Sequence, residues 1–257
     1  MDLLIKDKLF IVTGASSGLG HAVARTLMSE GALVIAVARR NELLKKLEAE
    51  FPGRSEILAG DITQIGTIEK LLGLLNDRDL AGIFVNAGGP PAKSISETTI
   101  EDWDRAYNQL LRWKVQLVIS LLPKFTERRY GRILFSESTS IKQPVENLVL
   151  SNSLRLAVAG FAKTLSEEYA GKGITVNIIG PGHHDTDAVK RLFIKKSEQI
   201  DITFDEAKSL AISKIGVGRM GSPDDFASLA AWLLSPHSGF VTGQAYFLDG
   251  GVIKSTL

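Results

Sequence analysis

The sequence predicts a single α/β domain, a Rossmann fold with a doubly wound parallel sheet and helices on both faces. Short apolar runs rich in β-branched residues alternate with longer amphipathic segments along the whole chain. The strand-like runs are continuously apolar rather than alternating, as suits strands covered on both faces. No linker, low-complexity stretch or internal repeat divides the 257 residues. Repeated β-α alternation then implies parallel strands joined by right-handed crossovers.

The elements follow in order. Leu9-Phe10-Ile11-Val12 reads as the first strand and His21 to Glu30 as the first helix. Leu33 to Val37 is the second strand, and Glu42 to Glu50 is a helix with Leu43, Leu44 and Leu47 on one face. Ile57-Leu58, Ile83-Phe84-Val85, Arg132 to Phe135 and Ile174 to Ile178 supply further strands. The longest helical patterns run from about Trp103 to Arg128 and from about Leu148 to Ala170.

Composition limits the function classes. Thirty basic residues against 29 acidic ones leave a formal net charge of +1, which argues against nucleic acid as a partner. With no cysteine, disulfides, thiolate metal sites and a cysteine nucleophile are excluded, and no metal site is expected. No apolar stretch approaches the roughly 20 residues that span a bilayer. Charges at Asp2, Lys6, Asp7 and Lys8 interrupt any secretory apolar region, so a cytoplasmic protein is expected.

Thr13-Gly14-Ala15-Ser16-Ser17-Gly18-Leu19-Gly20 joins the first strand to the first helix. Here Gly14 allows a tight exit from the strand, Gly18 a close approach of backbone to a pyrophosphate, and Gly20 close packing of helix on sheet. The helix N-terminus offers free N–H groups and a partial positive charge to phosphates. The second strand ends in Arg39-Arg40, roughly 20 residues beyond the glycines, where an acid would hold the ribose 2′-hydroxyl of NAD. Two guanidinium groups suit a 2′-phosphate instead, which points to NADP(H) over NAD(H). Alternatively, they form the solvated cap of the next helix. Asp61-Ile62 either meets the adenine edge or caps the following helix.

At Asn86-Ala87-Gly88 the chain comes to resemble the short-chain dehydrogenase/reductase family. The resemblance covers nearly the whole length and rests on the Thr13–Gly20 loop, Asp61, Asn86-Ala87-Gly88, Val176 to Gly182 with Thr186, and Thr242-Gly243-Gln244 to Asp249-Gly250-Gly251. Within the family the chain is most similar to the β-ketoacyl-carrier-protein reductase and sugar dehydrogenase branch. The resemblance implies a nicotinamide cofactor bound by Gly14, Ser16, Ser17, Gly18, Leu19, Gly20, Arg39, Arg40, Asp61, Ile62, Asn86, Ala87, Gly88, Arg155, Pro181, Gly182 and Thr186. It also implies a homo-oligomer, a tetramer rather than a dimer, in which the 103–128 and 148–170 helices pair between subunits.

The family's catalytic set is Asn, Ser, Tyr and Lys, the last two spaced Tyr-x-x-x-Lys. Carried over by position, Ser138 falls on the serine, Ser151 on the tyrosine, Arg155 on the lysine and Leu110 on the asparagine. The four tyrosines, Tyr107, Tyr130, Tyr169 and Tyr246, are followed at the fourth position by Leu111, Leu134, Gly173 and Gly250, so no shift of register restores the pair. Serine is far less acidic and shorter than a phenol, and arginine does not release its proton in proteins. A histidine or water would then move the proton, the candidates being His183 and His184, after Pro181-Gly182, with Glu137 a weaker one and Asp185 available to orient a histidine. The plainer reading of each histidine is a residue on a solvated loop.

Residues 183–215 are expected to form a helical lid. Val189, Leu192 and Phe193 would line its inner face, with Lys190, Arg191, Lys195 and Lys196 outside, as a solvated face or as a greeting for an acidic substrate. Three functions compete. The first is an NADP(H)-dependent oxidoreductase acting on a small-molecule carbonyl or alcohol with an altered proton donor. The second is a cofactor-binding protein without turnover, a sensor or structural partner. The third, a lyase-like activity, fits less well because the cofactor loop is kept.

Overall fold

Successive residues of a strand point to opposite faces of a sheet, and the apolar runs use both. The computed structural model, which describes residues 1–256, places the elements in the order β1 (Leu9–Thr13), α1 (Gly18–Ser29), β2 (Leu33–Ala38), α2 (Asn41–Glu50), β3 (Ser55–Ala59), α3 (Ile65–Leu75), β4 (Leu80–Val85), α4 (Ile100–Tyr107), α5 (Trp113–Arg128), β5 (Gly131–Ser136), α6 (Val149–Tyr169), β6 (Ile174–Pro181), α7 (Asp187–Ile200), α8 (Phe204–Ile212), α9 (Pro223–Leu234) and β7 (Ala245–Leu248). The strands form one parallel seven-stranded sheet in the order β3-β2-β1-β4-β5-β6-β7. Phe10 and Val12 of β1 face a core shared with α1 and α9, while Leu9 and Ile11 face one built from α3, α5 and α6. The doubly wound fold read from the sequence is therefore the fold of the chain.

Three local features depart from the sequence reading and each bears on the site. α1 begins at Gly18 rather than His21, so its first turn lies inside the glycine loop itself. The 103–128 segment is not one helix: a single π turn over Asn108–Arg112 separates α4 from α5. The Trp113 indole donates to the Gln109 carbonyl at 2.8 Å, satisfying a group in the irregular turn. β7 was not anticipated, because Tyr246-Phe247-Leu248 is a short apolar run between glycine-rich segments. It is an edge strand and only partly buried.

The 183–215 region contains α7 and α8, which pack on each other through Phe193 and Phe204, ring centroids 6.2 Å apart. Phe193 is buried as expected, but Leu192 is 47% exposed and Arg191 faces the large cleft at the C-terminal end of the sheet. The physical reason is helix phase. Thr186 caps α7, accepting the Val189 N–H, so Asp187, Ala188 and Arg191 share the cleft-facing side. Among the described residues no helix is long and apolar enough to cross a membrane.

α9 starts with a capping box at Ser222 and Asp225, with Pro223 in its first turn, and drives Phe226 into the core. The fully buried Phe226 ring stands edge-on to Phe84 of β4, centroids 5.9 Å apart. Phe226→Ala is expected to cost about 3–5 kcal/mol in equilibrium urea unfolding. A change below about 1 kcal/mol would contradict this account of the α9 face.

Candidate active site

The site begins where the sheet order turns, at the crevice between β1 and β4, which is where open α/β sheets bind ligands. The Thr13 hydroxyl ties the two strand ends together, donating to the Asn86 carbonyl at 2.8 Å and accepting the Asn86 N–H at 2.7 Å. Gly14 has φ +68°, and a Cβ there would stand 2.6 Å from the Asn86 side-chain nitrogen. A Cβ on Gly20 would lie 2.3 Å from the Gly14 carbonyl oxygen, so only glycine lets α1 enter this close to the loop.

The result is a cleft of about 850 Å³. It is lined by Gly14, Ser16, Ser17, Gly18 and Leu19 of the loop, by Arg39, Arg40, Asp61 and Ile62, by Asn86-Ala87-Gly88, and by Thr186. The exposed Arg40 side chain turns back to the loop rather than over α2. Its Nε and Nη2 each lie 3.2 Å from Ser16 Oγ, and Nη2 also donates to Ser17 Oγ. Asp61 accepts the Thr63 N–H at 3.0 Å and the Thr63 hydroxyl at 2.9 Å, holding the turn that precedes α3. Of the expected ligands, Gly20, Arg155, Pro181 and Gly182 lie outside this lining. Gly20 packs as described, and a Cβ on Gly182 would stand 2.7 Å from the Asp249 Cα. Pro181 ends β6 in register with Leu248 of β7.

These features fit a dinucleotide: a glycine cradle that any side chain would fill, a helix N-terminus aimed into it, and two arginines beside it. The first turn of α7 closes over the loop, Thr186 standing against Gly18. Arg105, Asn108, Gln109 and Arg191 also line the cleft, and nothing in their spacing marked them beforehand.

Next to the cleft the polar groups form a buried cluster. Ser151 and Arg155 lie one turn apart on the inner face of α6, and Arg155 Nε donates to Ser151 Oγ at 3.0 Å. Arg155 Nη1 donates to Glu137 twice, to the carboxylate Oε2 at 3.0 Å and to the main-chain carbonyl at 3.2 Å. Lys114 Nζ, from the start of α5, donates to the other carboxylate oxygen at 2.5 Å. The Glu137 side chain is fully buried and that of Lys114 is 1% exposed. Burial pushes the Lys114 ammonium below the ordinary lysine range, the Glu137 carboxylate pulls the other way, and Arg155 adds to the depression. Ser138 Oγ, at the mouth of the loop after β5, accepts the Ser140 N–H at 3.1 Å. Both serines thus have one oxygen lone pair engaged and an O–H left to donate.

The histidines stand elsewhere. His184 is 3% exposed, its ring edge-on to Phe226 at 5.7 Å, and a Cβ on Gly221 would lie 2.8 Å from its Nε2. His183 leans on Phe193 of α7, 5.7 Å away. Neither lines the cleft. Burial lowers both pKa values, His183 being depressed further by Lys196, so at neutral pH both are neutral and poor proton donors. Asp185 pairs with Lys190 at 3.6 Å rather than orienting an imidazole. The two histidines expected as replacement acids thus lie outside the cleft lining, as do Ser138, Ser151 and Arg155. Leu110 is fully buried, and the functional group in its neighbourhood is Lys114, one turn further on. Lys114 was missed, although a lysine at the spacing Leu110, Lys114, Leu117, Leu121 on an otherwise apolar face was a legible signal.

Comparison with known proteins agrees with this geometry. Residues 14–253 match the family model described as enoyl-(acyl-carrier-protein) reductase. The chain is 31% identical over 251 residues to dehydrogenase/reductase SDR family member 6 of Xenopus laevis, covering 96% of this chain and 98% of that one. It is 29% identical over 252 residues to the 3-oxoacyl-(acyl-carrier-protein) reductase of Vibrio harveyi, covering 96% and 98%. L-sorbose reductase from Gluconobacter frateurii, solved with NADPH and L-sorbose, superposes with a TM-score of 0.92 at 27% identity, over 99% of this chain and all of that one. With the glycine loop, the crevice and these matches spanning nearly its full length, the chain belongs to the short-chain dehydrogenase/reductase family.

Proposed function

We propose that this protein is an NADP(H)-dependent oxidoreductase that reduces a carbonyl or oxidises an alcohol, of the 3-oxoacyl or sugar type, without the phenol and lysine of its family. The observation that carries this reading is the pair of hydroxyls at Ser138 and Ser151, each with an acceptor position filled from the protein and its O–H free. When bound, the reduced nicotinamide supplies the hydride for the carbonyl carbon. The carbonyl electron pair then moves to oxygen, where the two hydroxyls donate to the developing oxyanion and Arg155 polarises Ser151 from behind. The proton that completes the alcohol comes from water, since Arg155 keeps its own. Ser138 and Ser151 hold the oxygen, and Arg155 anchors Ser151.

NADP(H) preference rests on Arg39 and Arg40 at the cleft wall, with Arg40 already oriented by Ser16 and Ser17. Subunit pairing through α5 and α6 is supported by Ile119 and Leu156, 59% and 56% exposed on these helices.

Incubation with NADPH and a panel of ketones, ketoses and ketoacyl thioesters is expected to consume NADPH. Tight NADPH binding without turnover across that panel would assign the chain as a cofactor-binding protein instead. In the active protein, Ser151→Ala is expected to lower kcat by roughly 100- to 1,000-fold, the loss typical of one oxyanion donor. His184→Ala is expected to leave the pH profile of kcat in place, and a reversal of these two outcomes would return the proton to the histidine.

Charge-assisted hydrogen bonds are worth about 1.5–3 kcal/mol, so Arg39→Ala/Arg40→Ala is expected to raise the Kd for NADPH roughly 10- to 100-fold and that for NADH far less. Equal losses for both cofactors would contradict the 2′-phosphate assignment.

A further inference from the structure

Glu137 and Arg155 alone would make a self-sufficient buried pair. The carboxylate accepts the guanidinium, and the guanidinium is also held by the Glu137 carbonyl and Ser151. Lys114 is superfluous to that pairing, yet it arrives from another helix and gives up nearly all its solvent contact to reach the same carboxylate. Burying an ammonium is costly, and two cations around one carboxylate repel one another. What the arrangement gains is a charge count. Lys114 and Arg155 against Glu137 leave the cluster with a formal net charge of +1, in surroundings where little water screens it. The groups facing Lys114 are Glu137 from the end of β5, Arg155 from α6 and the Trp113 ring of its own helix, 5.9 Å away.

Arg155 stands beside the cleft without lining it. Arg155 Nη2 lies 3.1 Å from where a Cβ on Gly89 would be, directly under the loop that continues from the cleft-lining Gly88. Its Nε is on Ser151.

We propose that Lys114 is a positioning residue whose ammonium engages Glu137 so that the charge of Arg155 stays uncompensated, and that the cluster thereby presents one net positive charge to the oxyanion at Ser138 and Ser151. This rests on the reductase reading above. The role differs from proton donation: Lys114 acts through Glu137 and Arg155 and does not meet the substrate. It also differs from a structural role, because the charge total, and not the identity of the side chain, decides the outcome.

The test compares the wild type with Lys114→Met, which neutralises the cluster, and Lys114→Met/Glu137→Gln, which restores a single positive charge on Arg155. Thermal unfolding checks that each is folded, and Lys114→Gln serves if methionine is not tolerated. The first readout needs no substrate. An oxidised nicotinamide carries a positive charge that the reduced ring lacks, so a positive cluster disfavours NADP+ relative to NADPH. Lys114→Met is expected to lower the ratio of Kd for NADP+ to Kd for NADPH severalfold, and the double variant to return it towards the wild-type value. The second readout is turnover. Lys114→Met is expected to lose about tenfold or more in kcat, with the double variant recovering most of that loss. The alkaline fall of kcat, set in the wild type by Lys114 below the ordinary lysine range, is expected to be absent from the double variant. An unchanged affinity ratio in a folded Lys114→Met, or a double variant as slow as the single one, overturns the proposal. A wild type without turnover overturns the reductase reading alone, because the affinity ratio still reports the charge.

Discussion

The burial of the Glu137 carboxylate is the constraint around which the site is assembled. Glu137 follows the last residue of β5, and its N–H is committed to the Ile179 carbonyl of β6 at 2.9 Å. The side chain has nowhere to go but inward, and an unpaired buried carboxylate would shift its pKa or disrupt the fold. α5 and α6 each bring one cation to it, from Lys114 and Arg155. Breaking a pair of this kind costs about 3–5 kcal/mol because the remaining charge is stranded. The packing of two helices against the sheet is therefore tied to buried charges that stand beside the cleft.

The two halves of the site rest on different physics. The nucleotide half is made of backbone: glycines too crowded for a Cβ, a helix that starts inside its own loop, and a threonine bridging β1 to β4. Its side chains, Arg39 and Arg40, are exposed at the rim. The other half is made of buried side chains, Lys114, Glu137, Ser151 and Arg155, that hydrogen-bond to one another. Exposed arginines are screened by salt, whereas the Lys114–Glu137–Arg155 cluster is screened far less. The first half carries exposed charge at its rim, and the second keeps its charges buried.

The same division explains what was legible in the sequence. The strands, the glycine loop and Asn86-Ala87-Gly88 depend on local pattern, and local pattern survives in a linear reading. Phe193 could be placed inward for that reason. Arg191 and Leu192 were misplaced because the phase of α7 is fixed by the Thr186 cap, which shifts the whole helix face. The π turn at Asn108–Arg112 leaves no compositional mark, so α4 and α5 read as one helix. Ser138, Ser151 and Arg155 were reachable by position, whereas Lys114 was marked only as a lone lysine on an apolar helix face, with no sign of its partners. Lys114, Glu137 and Arg155 are far apart in sequence, and only the fold brings them to one carboxylate. The histidines were attractive for their chemistry alone; His183 packs on Phe193, and the buried His184 packs on Phe226.

The account depends on Lys114 being an ammonium at neutral pH while almost wholly out of water. Nitrogen NMR of the lysine side chains reads this directly, with the Lys114 signal identified by its loss in Lys114→Met. The account predicts a solvent-protected ammonium resonance at pH 7 that titrates below the ordinary lysine range. A neutral amine at pH 7 would contradict it, because the cluster would then carry no net charge.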